Sequence, residues 1–425
     1  MSRQVAITGV GLVTPLGVGT EETWSGLLEG RSAVGEIEAY DPSSLHTRIG
    51  AEAPEFTPKD FVAKRRSLRT MTRNDLLGTV GAVLAVRDAG LELSEDPDAR
   101  HALFTGSNKE ISDPDSVADA AVAARDEAGK VNMQRFGEEF PRGVRPLFFL
   151  EGLQGASLFY ISEAFGLKGT NTYFAGSADA GMTAIGRGYR AVRRGEADLA
   201  IAGGFDNPID WWQMSKLDTL GILTQRNELG AAACRPFDRD RDGTVMGEGA
   251  AFLILEEMEA AKARSARVYA EMTGFGSGSD IGHLVTPDSD GHGVRLAAEA
   301  ALREAGTAPA DVGYVAAHGS GTKLGDTSEA RALSGLLDGG GTSISSVKPA
   351  TGHLCAGAGA LNAAVAALAV HHGALPPTLN LEQPDRACDG VDYIANEARE
   401  AKVHEALAMA RGFEGQNVAL ALRAT

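Results

Sequence analysis

The sequence predicts a mixed α/β fold in which one strand–helix motif is used twice. Three observations carry that expectation. Gly accounts for 53 of 425 residues and aromatics for only 6%, and Gly permits close backbone approach and positive φ, which suits tightly packed layers joined by short turns. Strand-length apolar runs alternate with helical ones from end to end, with no low-complexity linker. The order of these runs in the first part of the chain recurs in the second.

Taken in order, "QVAITGVGLVTPLG" reads as a strand and turn, "LLGTVGAVLAVRDAGL" as a helix, and "HALFTGSN" as a strand ending in a loop. The stretch 171–206, "NTYFAGSADAGMTAIGRGYRAVRRGEADLAIAGGFD", holds a strand from Thr172 to Ala175 and a small-residue corner from Gly176 to Asp179. A helical run from Met182 to Arg194 follows, and then a second strand from Leu199 to Ala202. "GAAFLILEEMEAAKARSA" is a strand running into a helix. The second part opens with "RVYAEMTGFGSGSD", which resembles the first strand and turn. It continues with the helix "VRLAAEAALREAGT" and the strand and loop "VGYVAAHGSGT". "TSISSVKPATGHLCAGAGALNAAVAALAVHHG" gives a short strand, a Gly-rich corner and a long helix, and "NVALALRAT" closes the chain as "GAAFLILEE" closed the first part. The expected halves are residues 1–257 and 258–425.

Composition narrows the function. A formal net charge of −17 argues against nucleic-acid and anionic-membrane partners. No apolar run approaches the ~18 residues of a membrane span, and "MSRQVAITGVGLVTPLG" reads as a first strand, not a signal peptide. Cys234, Cys355 and Cys388 are odd in number, far apart and in no metal-ligand spacing, so a reduced, cytoplasmic setting and no metal site are expected.

Strand, tight corner and helix together are the geometry that presents a nucleophile at a helix N-terminus, where the dipole stabilises a developing anion. Yet Gly176-Ser177-Ala178-Asp179 holds no nucleophile unless Ser177 serves. Ser177 lies one position early, so its side chain is expected to point elsewhere. The other chemistry-bearing positions fall mostly in the second half. His318 follows a strand, with Glu329 eleven residues on; His353 opens a helix, with Lys348 five residues before it; Phe413 precedes the last strand. Neutral imidazoles at such ends donate N–H bonds to a thioester carbonyl and stabilise an enolate.

Two charged stretches complete the inventory. "DRDRDG", from Asp238 to Gly243, mimics the start of a calcium loop. Its twelfth position is Gly249 where a Glu is needed, so it reads as a charged turn. "KDFVAKRRSLRTMTR" carries Lys59, Lys64, Arg65, Arg66, Arg69 and Arg73, which reads as a solvated helix face or as a docking patch for an acidic protein.

With "VAITGVGLVTPLG", "ISEAFGLKGTN", "ACRPFDRDRDGTVMGEGAAFLILE", "AAHGSGTKLGDTSEA", "SVKPATGHLCAGAGA" and "GFEGQN" in this order, the chain resembles the β-ketoacyl-acyl carrier protein synthases of the thiolase-like superfamily over essentially its whole length. The resemblance implies a duplicated five-layer αβαβα core and a dimer. It also implies no covalently bound cofactor, the acyl groups arriving on the phosphopantetheine arm of an acidic acyl carrier protein. The basic cluster then becomes the candidate carrier-docking surface. Members of the family perform a decarboxylating Claisen condensation in which a Cys thiolate takes the acyl chain and two His stabilise the enolate of a malonyl thioester. Position by position, the histidines match His318 and His353, the lysine Lys348, the acidic residue Glu329 and the gating Phe Phe413. The nucleophilic Cys falls on Ala178.

Two explanations of Ala178 stand. The chain is an elongating β-ketoacyl synthase, a homodimer, whose Cys has been substituted. Otherwise it resembles a chain-length factor, the Cys-less subunit of type II polyketide systems that pairs with an active ketosynthase as a heterodimer and helps shape its acyl tunnel. On that reading the chain alone is inactive in condensation. The neighbourhood favours it: Asp179 would raise the pKa of a thiol beside it, Gly176-Ser177 departs from the family's frequent Thr-Ala, and "TGSNKEISDPD" lacks the usual glycines. "ARGFEGQN" brings in Arg411 and Glu414. The intact histidines and Lys348 weigh the other way, since chain-length factors often lose the histidines; on the Cys-less reading they persist as buried hydrogen-bonding groups or for decarboxylation of malonyl units, which needs enolate stabilisation but no thiol. The loop 105–115 is the expected tunnel lining.

Overall fold

The computed structural model describes residues 3–93, 100–337 and 341–425. Ten strands form the framework: β1 Val5–Thr14, β2 His101–Ser107, β3 Asn171–Ala175, β4 Leu199–Asp206, β5 Gly249–Glu257, β6 Ala270–Ser279, β7 Val312–Ala316, β8 Ser343–Ser345, β9 Glu405–Arg411 and β10 Gln416–Arg423. They pair in the order β3-β2-β4-β5-β1 and then β6-β10-β9-β7-β8. Read outward from the junction, the two series have the same topology. In each, the two strands nearest the junction pair antiparallel and the outer three run parallel. The junction is the antiparallel pairing of β1 with β6, Val5 opposite Met272.

Among the described residues, eight helices have ten residues or more: α1 Arg73–Asp88, α2 Pro114–Ala123, α3 Met133–Gly143, α4 Ala156–Phe165, α5 Ala178–Arg193, α6 His292–Ala305, α7 Lys323–Leu337 and α8 Ala356–His372. α5 and α8 pack on each other and on strands of both series, so they form the middle layer. α1 covers the outer face of the first series, while α6 and α7 cover that of the second. The fold is the thiolase-like duplicated five-layer αβαβα architecture.

Strand residues divide between layers with period 2. In β5, Ala251, Leu253 and Leu255 join the central core, whereas Ala250, Phe252 and Ile254 join the core under α1. Buried on both faces, such strands read as continuous apolar runs. The repeated Thr-Gly-x-Gly has a steric cause. A Cβ on Gly9 or Gly11 would meet the Ala85 or Gly81 carbonyl of α1 at 2.4 and 2.1 Å, and one on Gly274 or Gly276 would meet the Ala301 or Ala297 carbonyl of α6 at 2.1 Å. Both outer helices lie directly on their strand, and only Gly admits them.

The middle layer is packed as closely. Every residue of α8 from Ala356 to Val370 is buried, and a Cβ on Gly359 would come within 2.1 Å of the Ala178 carbonyl. This crossing brings the start of α5 against the first turn of α8. Asn362, also on α8, donates from Nδ2 to the carbonyls of Ala317 and Met409, both at 2.9 Å, and so ties the ends of β7 and β9 to the same helix.

Several boundaries differ from expectation. α5 begins at Ala178, four residues before Met182, so the corner is itself the first turn of the helix. β4 continues to Asp206. The basic stretch is not a helix face but two short 3-10 turns, Pro58–Asp60 and Ser67–Arg69. Among the described residues no helix is long and apolar enough to cross a membrane.

Candidate functional site

Two corners converge where α5 and α8 start. After β7 the chain turns at His318, and Glu329 of α7 fixes that turn: its carboxylate accepts the backbone N–H groups of His318 and Gly319, both at 2.7 Å. Burial pushes the Glu329 carboxyl up. Lys348, also buried, donates to the His318 carbonyl oxygen; burial pushes its ammonium down to about 8, with Glu329 opposing the shift. The Glu and Lys thus hold the loop that carries His318.

The imidazoles of His318 and His353 stand 5.3 Å apart in an edge-to-face pair. Nδ1 of His353 accepts the N–H of Cys355 at 3.0 Å, and Nδ1 of His318 accepts that of Arg411 at 3.4 Å. Burial, reinforced by the Lys348 charge, holds both rings well below the usual imidazole range. Each is therefore neutral, and with Nδ1 accepting, its single proton sits on Nε2. The pair supplies two N–H donors and no positive charge, the arrangement that stabilises an oxyanion or enolate. Both rings line one cavity of about 80 Å³, together with Ser177, Met246, Arg411 and Phe413.

The corner after β3 is built differently. Ala178 is fully buried. Ser177, expected to point away, instead lines the cavity. Its Oγ accepts the N–H of Phe413 at 3.1 Å and donates to Asp179 Oδ1 at 3.5 Å. The serine thus anchors the Phe413 loop. Burial and the nearby Glu414 push the Asp179 carboxyl up to about 6. A Cβ on Gly412 would fall 2.4 Å from Asp179 Oδ1, so this carboxyl is seated against the last loop.

No cysteine stands in for the missing thiol. Cys234, Cys355 and Cys388 are all buried. Burial pushes their thiols up, to about 12 for Cys234, to about 11 for Cys388, and for Cys355, with Asp206 beside it, well above the usual range. Thiols held protonated are poor nucleophiles.

Two groups of the site lie outside the expected set. Asp206, at the end of β4, accepts the N–H groups of Asn108 at 3.0 Å and Ala356 at 3.4 Å, which caps the start of α8; burial pushes it up to about 7. Arg411, which stood out in the sequence only as a departure, forms a buried ion pair with Asp280, and both residues line the histidine cavity. A strand-terminal Asp carries no local motif, and the Arg–Asp pair joins positions 131 residues apart.

The basic stretch divides. Lys59, Lys64, Arg65, Arg66 and Arg69 are exposed, with Lys64 and Arg66 near Glu163 at 3.8 and 3.4 Å. Arg73 faces inward instead. It binds Glu248 through Nη2 at 2.6 Å and Nε at 3.1 Å and lies over the Phe56 ring, so it is a fold residue and leaves the patch. The loop 105–115 does not reach the histidine cavity; Lys109, Glu110 and Ser112 line a separate one. In "DRDRDG", Asp238 accepts backbone N–H groups of Asp240, Glu382 and Gln383, Asp242 accepts the Thr224 hydroxyl, and Arg241 is buried against Asp326 and Asp385. The turn is a structural knot. Among the described residues no group of three His, Cys, Asp or Glu is placed to hold a metal ion.

The model of the β-ketoacyl synthase N-terminal domain matches residues 2–261, and that of the C-terminal domain residues 269–382. The 3-oxoacyl-[acyl-carrier-protein] synthase 2 of Vibrio cholerae is 34% identical over 98% of each chain. Among solved structures, the ishigamide ketosynthase/chain length factor superposes over the whole of both chains with a TM-score of 0.88 at 29% identity. A type II polyketide synthase ketosynthase, AntDE, solved with its acyl-carrier protein AntF and bound to the hexaketide, does so with a TM-score of 0.86 at 27% identity.

Proposed function

The chain belongs to the β-ketoacyl synthase family, whose work is the condensation of acyl chains in fatty-acid and polyketide synthesis, and we propose that within it this protein is a Cys-less subunit of chain-length-factor type. It pairs with a Cys-bearing ketosynthase, and the pair elongates acyl chains delivered on the phosphopantetheine arm of an acyl carrier protein, using malonyl units. The observation that carries the proposal is the interlocked corner. Ala178 is fully buried, Asp179 is seated on Gly412 beside Glu414, and Ser177 anchors Phe413. The unusual residues of the corner and of the last loop touch one another, so they form one unit that a single replacement of a Cys would not create. A buried carboxyl next to position 178 opposes formation of a thiolate there.

Pairing is supported by the surface around β3, an edge strand whose outer residues Asn171, Thr172 and Ala175 are exposed. Nearby helical segments expose Phe149, Leu150, Leu153 and Phe159. Exposed apolar side chains close to an open sheet edge suit a protein interface.

The test is co-expression with a Cys-bearing synthase of the same organism, followed by native mass spectrometry and an assay of malonyl-carrier condensation. A one-to-one pair is expected, active together and inactive as the isolated chain. A stable, fully occupied homodimer that ignores the synthase would overturn the reading. The second reading, an elongating homodimeric synthase with a substituted nucleophile, draws on the intact set of His318, His353, Lys348 and Glu329. Sequencing codon 178 of the native gene separates the two, since a Cys codon there favours the second.

A further inference from the structure

A cavity of about 620 Å³ lies at the far end of α8 and shares no lining residue with the histidine cavity of about 80 Å³. α8 has 17 residues, so about 25 Å of helix separates this cavity from the histidine corner. Its volume falls in the range of small-molecule sites, about 300–1,000 Å³.

Both halves of the chain build its walls. The short helix Thr20–Leu28 presents Glu21, Trp24, Ser25 and Leu28, a spacing that places side chains on one face. Tyr269, just before β6, and His371 and His372, at the end of α8, supply the rest of an aromatic wall. Trp24 stacks on His372 at 5.7 Å, His372 meets His371 edge-on at 4.8 Å, and His371 meets Tyr269 at 5.0 Å.

One polar group in this wall is left over. Trp24 is 8% exposed, yet its indole N–H has no protein acceptor among the described residues. An indole N–H only donates, and when buried it usually finds a partner. Charge is unbalanced too. Arg267 is paired with Asp88, which also accepts the Tyr269 hydroxyl at 2.9 Å, and Glu29 is paired with Arg31 at 2.9 Å. Glu21 has no partner among the described residues. Burial holds the imidazoles of His371 and His372 below the usual range, and α8 has no Lys or Arg in its last turn. The negative end of the helix therefore meets no full positive charge there. Tyr269 shows what such a wall accepts, since the Arg267 guanidinium lies over its ring at 4.6 Å. A metal ion does not fit, because among the described residues no three His, Cys, Asp or Glu are grouped to hold one.

We infer that this cavity binds a small organic cation, a protonated or quaternary amine that also bears an oxygen. The ammonium rests against the wall of Trp24 and His372 and faces Glu21, while the oxygen accepts the Trp24 N–H. Aromatic faces attract such cations, and most strongly where water is excluded. The inference is independent of the pairing proposed above.

Choline is the probe. Its control is 3,3-dimethylbutan-1-ol, which keeps the shape and the hydroxyl and lacks the charge. Calorimetry on the purified protein should show choline binding about tenfold more tightly than the alcohol. Glu21→Gln, at an exposed side chain, should weaken choline about threefold and leave the alcohol unchanged. Trp24→Phe keeps an aromatic ring and removes the N–H, so it should weaken both. If Trp24→Phe fails to fold, Glu21→Gln decides alone. Equal affinity for the two probes, no binding of choline, or choline binding that neither variant changes would overturn the inference.

Discussion

The corner that opens α5 and the corner that opens α8 occupy equivalent places in the two repeats, yet only one holds a full set of reactive groups. At α8, Lys348, His353 and the neighbouring His318 turn are fixed by bonds to Glu329 and to backbone groups. At α5, the same strand–corner–helix geometry delivers a methyl group, flanked by an acid and by a serine already engaged by Phe413. Duplication supplied the scaffold twice, and local side chains decided what each copy does. The scaffold is sensitive to backbone approach, whereas the chemistry is sensitive to protonation.

The largest effect should come from breaking the contact between the corners. Gly359→Val places branched carbon where a Cβ alone would lie 2.1 Å from the Ala178 carbonyl. A loss of about 3 kcal/mol or more is expected, read as a fall in Tm or as insoluble protein. A variant as stable as the parent would show that the crossing is looser than described.

Next comes pH. Asp206 titrates near 7 when folded and lower when unfolded, so between those values the folded state binds more protons, and stability is lost as pH rises through about 7. Asp206→Asn removes that term. Urea unfolding should then show the variant gaining on the parent as pH rises from 4 to 8, and parallel curves would refute the assignment.

The acid at the α5 corner gives a smaller, sharper test. Ala178→Cys alone should be alkylated slowly by iodoacetamide at pH 7, because Asp179 and burial disfavour the thiolate. Adding Asp179→Asn should speed alkylation several-fold. Equal rates would remove the electrostatic argument for a natively Cys-less corner. Smallest in stability terms is replacement of Lys64 and Arg66 by Gln, exposed side chains in loose contact with the mostly buried Glu163. Tm should hardly move, while affinity for an acidic carrier should fall and its salt dependence weaken.

The sequence showed the duplication through features that are local. Thr-Gly-x-Gly recurs because a helix lies on the strand in both repeats, and His318, Glu329, Lys348, His353 and Phe413 each sit in a short motif at a strand or helix end. What was hidden depends on distance along the chain. Ser177 meets Phe413 across 236 residues and Asp206 caps a helix 150 residues away, and no window of sequence contains such pairs. The stretch 108–170 was silent for another reason. α3 carries Met133, Phe136 and Phe140 at helical spacing, yet it buries no residue of its own and holds Gly137 and Pro141, so its stripe does not read as the face of a core helix. Arg73 was misread because its partner Glu248 lies on a distant segment.

The two imidazoles have one further consequence. With Nδ1 accepting on both rings and neither ring charged, the pair meets negative charge arriving between them with two N–H groups and no net charge of its own. It works like a pair of fixed terminals whose voltage is set by the fold. Any anion stabilised there would be held by the same two contacts across the neutral pH range, and exchange of solvent protons for deuterons would leave that hold nearly unchanged.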